Sequence, residues 1–228
     1  MPRKTHSIKH TDEKADKAWL RKSKPYVYSV NSRTKNRTFL IICEGQTEEV
    51  YFKSFPVLTA TVQSINTGSS NMALVDAVKR FQKAGSYDEV WCVFDFDINL
   101  MISGQAQDFN NAIKVAKERG YHCAYSNDAF ELWFVLHYQY IDQQQQRDFF
   151  YQVLSSRWGI NYTRDGKSLA FTKSLYNRLL SDGNASQQAA IASSRRLLKI
   201  HEDKPYHLQN PVTTVFQLVE RLNEHCRK

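Results

Sequence analysis

Four acidic residues stand at places in the sequence where they could do chemistry. Glu44 follows the apolar run Phe39-Leu-Ile-Ile-Cys43 and precedes Gly45. Asp95 and Asp97 close the run Val90-Trp-Cys-Val-Phe94, and Glu131 opens an apolar segment just beyond Asn127. Carboxylates gathered together repel one another, so they stay ionised only beside a cation. Mg2+ or Mn2+ suits such a group, because hard divalent ions take oxygen ligands and retain waters that substrate phosphates can replace. An ion of this kind polarises a phosphoryl oxygen, orients a water and stabilises the charge on the leaving oxygen. Asp95 and Asp97 are two residues apart, so on a continuing strand both face one ion while Phe96 faces the packed side. Glu44 suits a general base or a further ligand. Each residue also has a plainly structural reading. A lone D-x-D can cap a helix or lie solvated, and Glu44 can cap the helix that follows it. Glu48 and Glu49 suit the first turn of that helix through its dipole, and Glu131 could simply pair with an Arg or His on a neighbouring helix.

The elements that must position these residues decide between the two readings. Phe39–Cys43 is a continuous apolar run of strand length. A helix containing Thr47, Val50, Tyr51 and Phe55 follows and stops at Pro56. Residues 59–65 alternate like a second strand. Leu74, Val75, Val78 and Phe81 describe an amphipathic helix ended by Gly85. Residues 90–94 form a third apolar strand, Phe109, Ala112, Ile113 and Ala116 mark a helix closed by Gly120, and residues 121–125 make a fourth strand. Apolar strands alternating with helices predict an α/β unit, Rossmann-like, with a parallel four-stranded sheet covered on both faces. Parallel strands end on one edge, where ligands of open α/β sheets bind. Glu44, Asp95, Asp97 and Glu131 should therefore converge on one rim.

Beyond residue 127 the pattern turns helical. Residues 130–138 are apolar nearly all round and read as a buried helix. Phe149, Val153 and Leu154 suggest another, and 168–182 and 185–201 two more. A last helix is expected with Asn210 as N-cap and Pro211 as its first residue. The domain reading is a basic N-terminal arm over 1–37, an α/β catalytic core over 38–140 and a helical extension over 141–228 packed on that core.

Composition narrows the function classes. The chain has 228 residues, 42% of them hydrophobic and 13% aromatic, enough for a packed core. No apolar run approaches the length of a membrane span, and no apolar stretch follows the N-terminal charges, so neither membrane insertion nor a secretory signal is expected. Cys43, Cys92, Cys123 and Cys226 show no C-x-x-C spacing and read as buried thiols in a reducing cytoplasm. The net charge of +8 lies in the arm: residues 1–38 hold eleven Lys/Arg against three Asp/Glu, and the remainder sums to zero. Arg33, Lys35 and Arg37 in the arm, with Arg195 and Arg196 farther on, are candidate phosphate contacts; a solubilising tail and a solvated helix face are the bland alternatives. His137, among Phe130, Trp133 and Phe134, reads as a satisfied core histidine. No Walker loop, nucleophile elbow or H-E-x-x-H occurs.

Ile41-Ile42-Cys43-Glu44-Gly45-Gln46-Thr47-Glu48 followed by Val93-Phe94-Asp95-Phe96-Asp97 resembles the E-G-x-T-E plus D-x-D pattern of Toprim-like nucleases. Ser126-Asn127-Asp128-Ala129-Phe130-Glu131-Leu132-Trp133 and Asn210-Pro211-Val212-Thr213-Thr214 resemble the RloB-like family, over about residues 38–222. The family usually carries proline where this chain has Asp128, which adds a fifth carboxylate near Glu131. The resemblance implies a Toprim-like fold in which Glu44 works with metal held by Asp95 and Asp97, with Glu48 and Glu131 as additional ligands. It also implies a role in bacterial phage defence or abortive infection, with nucleic acid and a protein from the same defence locus as partners. The activity expected is metal-dependent cutting of DNA or RNA, tRNA included. A non-catalytic module binding nucleic acid or a partner protein is the alternative. A receiver-like phosphotransfer domain ranks last, since no strand with a matching lysine is evident.

Overall fold

The computed structural model describes residues 37–64, 71–96 and 104–226. Arg33, Lys35 and Asp97 lie outside these residues. The compact unit that carries the fold runs Asn36–Lys228.

Five strands form one sheet in the order β2-β1-β3-β4-β5. β1 (Phe39–Cys43), β2 (Ala60–Ser64), β3 (Glu89–Asp95) and β4 (His122–Asn127) are mutually parallel, and β1 and β3 are apolar along nearly their whole length. That composition is what a strand covered on both faces requires. Between them run α1 (Gln46–Lys53), α2 (Asn71–Gln82) and α3 (Gln105–Glu118). Leu74, Val75 and Val78 of α2 and Phe109, Ala112, Ile113 and Ala116 of α3 are buried on the faces their spacing predicts. Gly120 follows α3 in a left-handed conformation, φ 76°, which costs a glycine nothing.

The sheet departs from expectation at its far edge. β5 (Val212–Thr213) pairs antiparallel with β4, Ser126 against Thr213 and Asn127 against Val212. The sheet is thus five-stranded and mostly parallel, not a four-stranded parallel sheet. The same observation corrects the last helix, α8, which starts at Val215 rather than at Pro211. Asn210–Pro211 is a cis peptide. Asn210 caps no helix; its side chain exchanges hydrogen bonds with the backbone of Gln145. An Asn-Pro start signal competes here with two β-branched residues beside an unpaired strand edge, and the tertiary pairing wins.

The helical part comprises α4 (Glu131–Val135), α5 (Arg147–Trp158), α6 (Leu169–Ser181) and α7 (Gln187–His201), with a π-helical turn at Tyr162–Gly166 and a 3-10 turn at Tyr206–Leu208. α4 is only five residues long but wholly buried. Its rings join Tyr51 of α1: Phe130, Phe134 and Tyr51 meet edge to face at 5.2–5.8 Å. His137 packs in this cluster, a core histidine with one ring nitrogen satisfied, Nδ1 lying 2.9 Å from the Trp133 carbonyl. Cys43, Cys92 and Cys123 are buried free thiols and Cys226 is partly buried. Among the described residues no helix is long and apolar enough to cross a membrane.

Candidate acidic site

The strand order reverses direction between β1 and β3, because β2 lies beyond β1 on one side and β4 beyond β3 on the other. In open α/β sheets the crevice at the carboxyl ends of such a pair is where ligands bind. Glu44 extends β1 by one residue, its N–H donating to the Val93 carbonyl at 3.0 Å. Asp95 is the last residue of β3. Both acids therefore stand at the crevice.

Two helices bring further carboxylates to it. α1 starts directly at the end of β1, with Gly45 as its N-cap residue. Glu48 sits in its first turn and is buried, 7% exposed. A Cβ on residue 45 would collide with the Glu48 carboxylate, so glycine there is what lets that side chain fold back over the helix start. Glu131 opens α4 and is 3% exposed. Its Oε1 accepts from Tyr162 Oη at 3.1 Å and lies 3.9 Å from Lys167 Nζ. The π-helical turn delivers both partners, and its Gly166 passes so close to the Tyr162 ring that a Cβ would clash.

The electrostatics follow from this crowding. Burial pushes the Glu48 carboxyl up to about 7, and repulsion from Glu131 and Glu44 adds to it. Burial likewise holds Asp95 well above the usual carboxylate range, with Glu48, Glu131 and Glu44 adding to it. Asp95 is a half-buried residue, yet its Oδ1 is shut off from solvent. Its Oδ2 accepts from the Phe130 N–H at 3.0 Å, while Oδ1 and Glu48 Oε2 have no hydrogen-bond partner among the described residues. A buried polar atom left this way costs free energy, and a buried charge costs more. Every negative charge the cluster keeps needs a proton or a cation beside it.

Lys167 supplies one cation and was not singled out in the sequence. It is half-exposed, and its ammonium lies over the Tyr151 ring at 5.1 Å from the centroid. Burial lowers its pKa, but attraction to Glu131 and contact with Tyr151 outweigh that and leave it raised. No local signal marks a lysine that a turn folds back from 36 residues beyond Glu131.

The donor chemistry, all oxygen, fits a hard divalent cation. The geometry as it stands is more open: among the described residues no group of three His, Cys, Asp or Glu side chains is arranged to hold a metal ion. The structure thus gathers Glu44, Glu48, Asp95 and Glu131 at one rim, and Asp97 lies outside the described residues. The fifth carboxylate serves a structural purpose. Asp128 Oδ2 accepts from the Arg147 N–H at 2.8 Å and lies 3.5 Å from its Nε, which ties down the start of α5.

The described basic candidates, Arg37, Arg195 and Arg196, are engaged elsewhere. Arg37 donates to Glu89 at 3.0 Å, at the opposite end of the sheet from Glu44. Arg195 pairs with Glu220 at 2.7 Å and covers the Phe216 ring, and Arg196 lies over Tyr140.

With this geometry in view, the family model described as RloB-like protein matches residues 39–222. The chain belongs to the RloB-like family. The match runs from the first residue of β1 into α8, so it takes in the sheet, the acidic rim and the helical part together. No curated protein and no solved structure matches the chain. The RloB-like assignment therefore carries the family without a reaction, and the acidic rim must be read on its own chemistry.

Proposed function

We propose that this RloB-like protein is a metal-dependent nuclease with a Toprim-like catalytic core, acting on DNA or RNA as a defence effector. The observation that carries the reading is the pair of buried carboxylate oxygens, Glu48 Oε2 and Asp95 Oδ1, without a partner among the described residues, at the crevice between β1 and β3. Asp95, Glu48 and Glu131, with Asp97, would hold Mg2+ or Mn2+, which when bound would neutralise charge on the phosphodiester and its leaving oxygen.

The chain's own groups then have distinct tasks. Glu44, at the rim and partly solvent-exposed, takes the proton of the attacking water on its carboxylate. Tyr162 and Lys167 fix the orientation of Glu131 through its Oε1. The exposed side of the Lys167 ammonium meets a non-bridging phosphate oxygen, as charge-assisted hydrogen bonding favours. The basic arm adds salt-dependent, sequence-blind contacts, and a partner protein encoded alongside would supply the trigger. Plasmid, single-stranded DNA and total tRNA should each be incubated with Mg2+, Mn2+ or EDTA, using wild type and Asp95→Asn. Cutting that needs the ion and disappears in the variant supports the reading; equal cutting by both proteins rejects it.

A second reading, a non-catalytic module that binds nucleic acid or a partner, is favoured by the lack of a ready-made three-ligand group among the described residues. Deleting residues 1–37 separates the two. An enzyme keeps metal-dependent activity at lower affinity, whereas a binder that works through its arm loses its function.

A further inference from the structure

Away from the acidic rim, a cavity of about 280 Å3 lies between α1, the end of α4, α6 and the first turn of α7. Its polar groups are few and their roles are defined. His137 lines it and is only 3% exposed. A carbonyl can only accept, so the 2.9 Å contact with the Trp133 oxygen puts the ring proton on Nδ1. Nε2 is left as a bare acceptor on the opposite side of the ring, with no hydrogen-bond partner among the described residues. Burial pulls this histidine down to about 4, so it stays neutral near pH 7.

Tyr51 Oη accepts from Trp133 Nε1 at 2.9 Å and keeps its own proton to give. Ser186 caps α7, its Oγ accepting from the Ala189 N–H and its own N–H donating to the His137 carbonyl. The N–H groups of Gln187 and Gln188, in the first turn, have no acceptor within the helix. Tyr176 and Leu179 provide an aromatic and an apolar wall. The cavity therefore offers one acceptor, several donors and a flat apolar side.

We propose that this cavity binds one unpaired nucleobase through its lactam edge, the adjoining N–H and C=O that uracil and guanine carry and that adenine and cytosine lack. The base N–H donates to His137 Nε2, its carbonyl accepts from Tyr51 Oη or the α7 N–H groups, and its ring lies against Tyr176. A base without the N–H would cover the His137 nitrogen, which lines the cavity, and leave it unpaired, and that is the kind of mismatch that discriminates strongly. The space admits one base and no duplex, in keeping with readout of unstacked bases on aromatic side chains. Tyr51 lies three residues past Glu48 on α1, and Trp133 two past Glu131 on α4, so an occupant leans on the helices that carry the acidic rim. The inference does not depend on cleavage at that rim.

The full chain, held in EDTA so that no metal-dependent reaction runs, should be titrated with the four nucleoside monophosphates and with the four homo-oligonucleotides. The indole N–H resonance of Trp133 reports on Tyr51. Uridine and guanosine forms are expected to shift it at least about tenfold more tightly than adenosine and cytidine forms. A shift with mononucleotides means that a free nucleotide suffices; a shift with oligonucleotides alone means that the base must belong to a strand. His137→Phe should abolish the preference, since it removes the acceptor for the base N–H, and Tyr51→Phe should weaken the uridine and guanosine forms several-fold. Because Tyr51→Phe strips a partner from Trp133, Gln187→Pro serves as the second donor variant. Proline is accepted at the first helical position after the extended Ser186 (φ −138°, ψ 113°), and it removes one backbone donor together with the exposed side-chain hydrogen bond from Asn223 to Gln187. It should weaken the lactam bases several-fold. No shift with any ligand at millimolar concentration, equal affinity for all four bases, or a preference that survives His137→Phe would overturn the proposal.

Discussion

At the amino-terminal rim of the sheet Glu89 is 5% exposed, and at the carboxyl-terminal rim Glu48 is 7% exposed; the two carboxylates show similarly little surface but have opposite surroundings, Glu89 at the wall of an open cavity and Glu48 packed inside the fold. Glu89 accepts from Arg37 Nη1 at 3.0 Å, from Trp91 Nε1 at 3.3 Å and from Arg221 Nε at 3.3 Å. Burial raises its pKa, but the bonds from Arg221 and Trp91 and the charge of Arg221 more than offset that and leave it below the ordinary carboxylate value. Glu48 meets Glu131, Glu44 and Asp95 instead, countered by a backbone N–H and the charge of Lys167, which do not offset them. The first carboxylate is saturated by the protein's own cations and holds β1, β3 and α8 together. The second group is left wanting a cation, which is how a binding site for one differs from a structural ion pair.

Four changes would break or sharpen this contrast. Asp95→Asn should lower metal-dependent cleavage by about a hundredfold or more without lowering the melting temperature of the metal-free protein. An unfolded variant would mean that Asp95 is structural, like Glu89. Glu89→Ala should do the reverse, costing about 2 kcal/mol in urea unfolding because Arg221 and Arg37 lose their shared partner. Cleavage per folded molecule should stay as it was.

The third test is pH. Glu48 titrates at about 7 in the fold against an ordinary value of 4.5, so the folded state holds this proton more tightly than the unfolded chain. Below 4.5 both states are protonated. As pH rises from about 4.5 through 7 the fold gives up a proton it favours, and stability falls by something on the order of 3 kcal/mol. Melts in EDTA should show this loss, Glu48→Gln should flatten it, and Mn2+ should reduce it by compensating the charge. A melting temperature that climbs over the same window would contradict the account of the rim. The smallest effect is expected for Lys167→Met: about a fivefold loss of cleavage, with a shallower dependence on salt and an intact fold by circular dichroism.

Much of this was legible along the chain. The apolar runs ending in Glu44 and Asp95 imply parallel strands, and parallel strands put their ends on one rim whatever the rest of the fold does. The i, i+3, i+4 spacing of α2 and α3 likewise names their buried faces. These are local rules, satisfied within five to fifteen residues, and the strand ends and helix faces they predict are those of the structure. Tertiary structure alone decided that Val212–Thr213 would close the sheet instead of starting a helix, because a strand pairs with whichever edge is free, and that edge is 85 residues away. It alone decided that Lys167 and Tyr162 would reach Glu131, since neither residue type nor spacing records where a turn folds back. Charge compensation is a property of neighbours in space, and a sequence specifies those only through the fold it adopts.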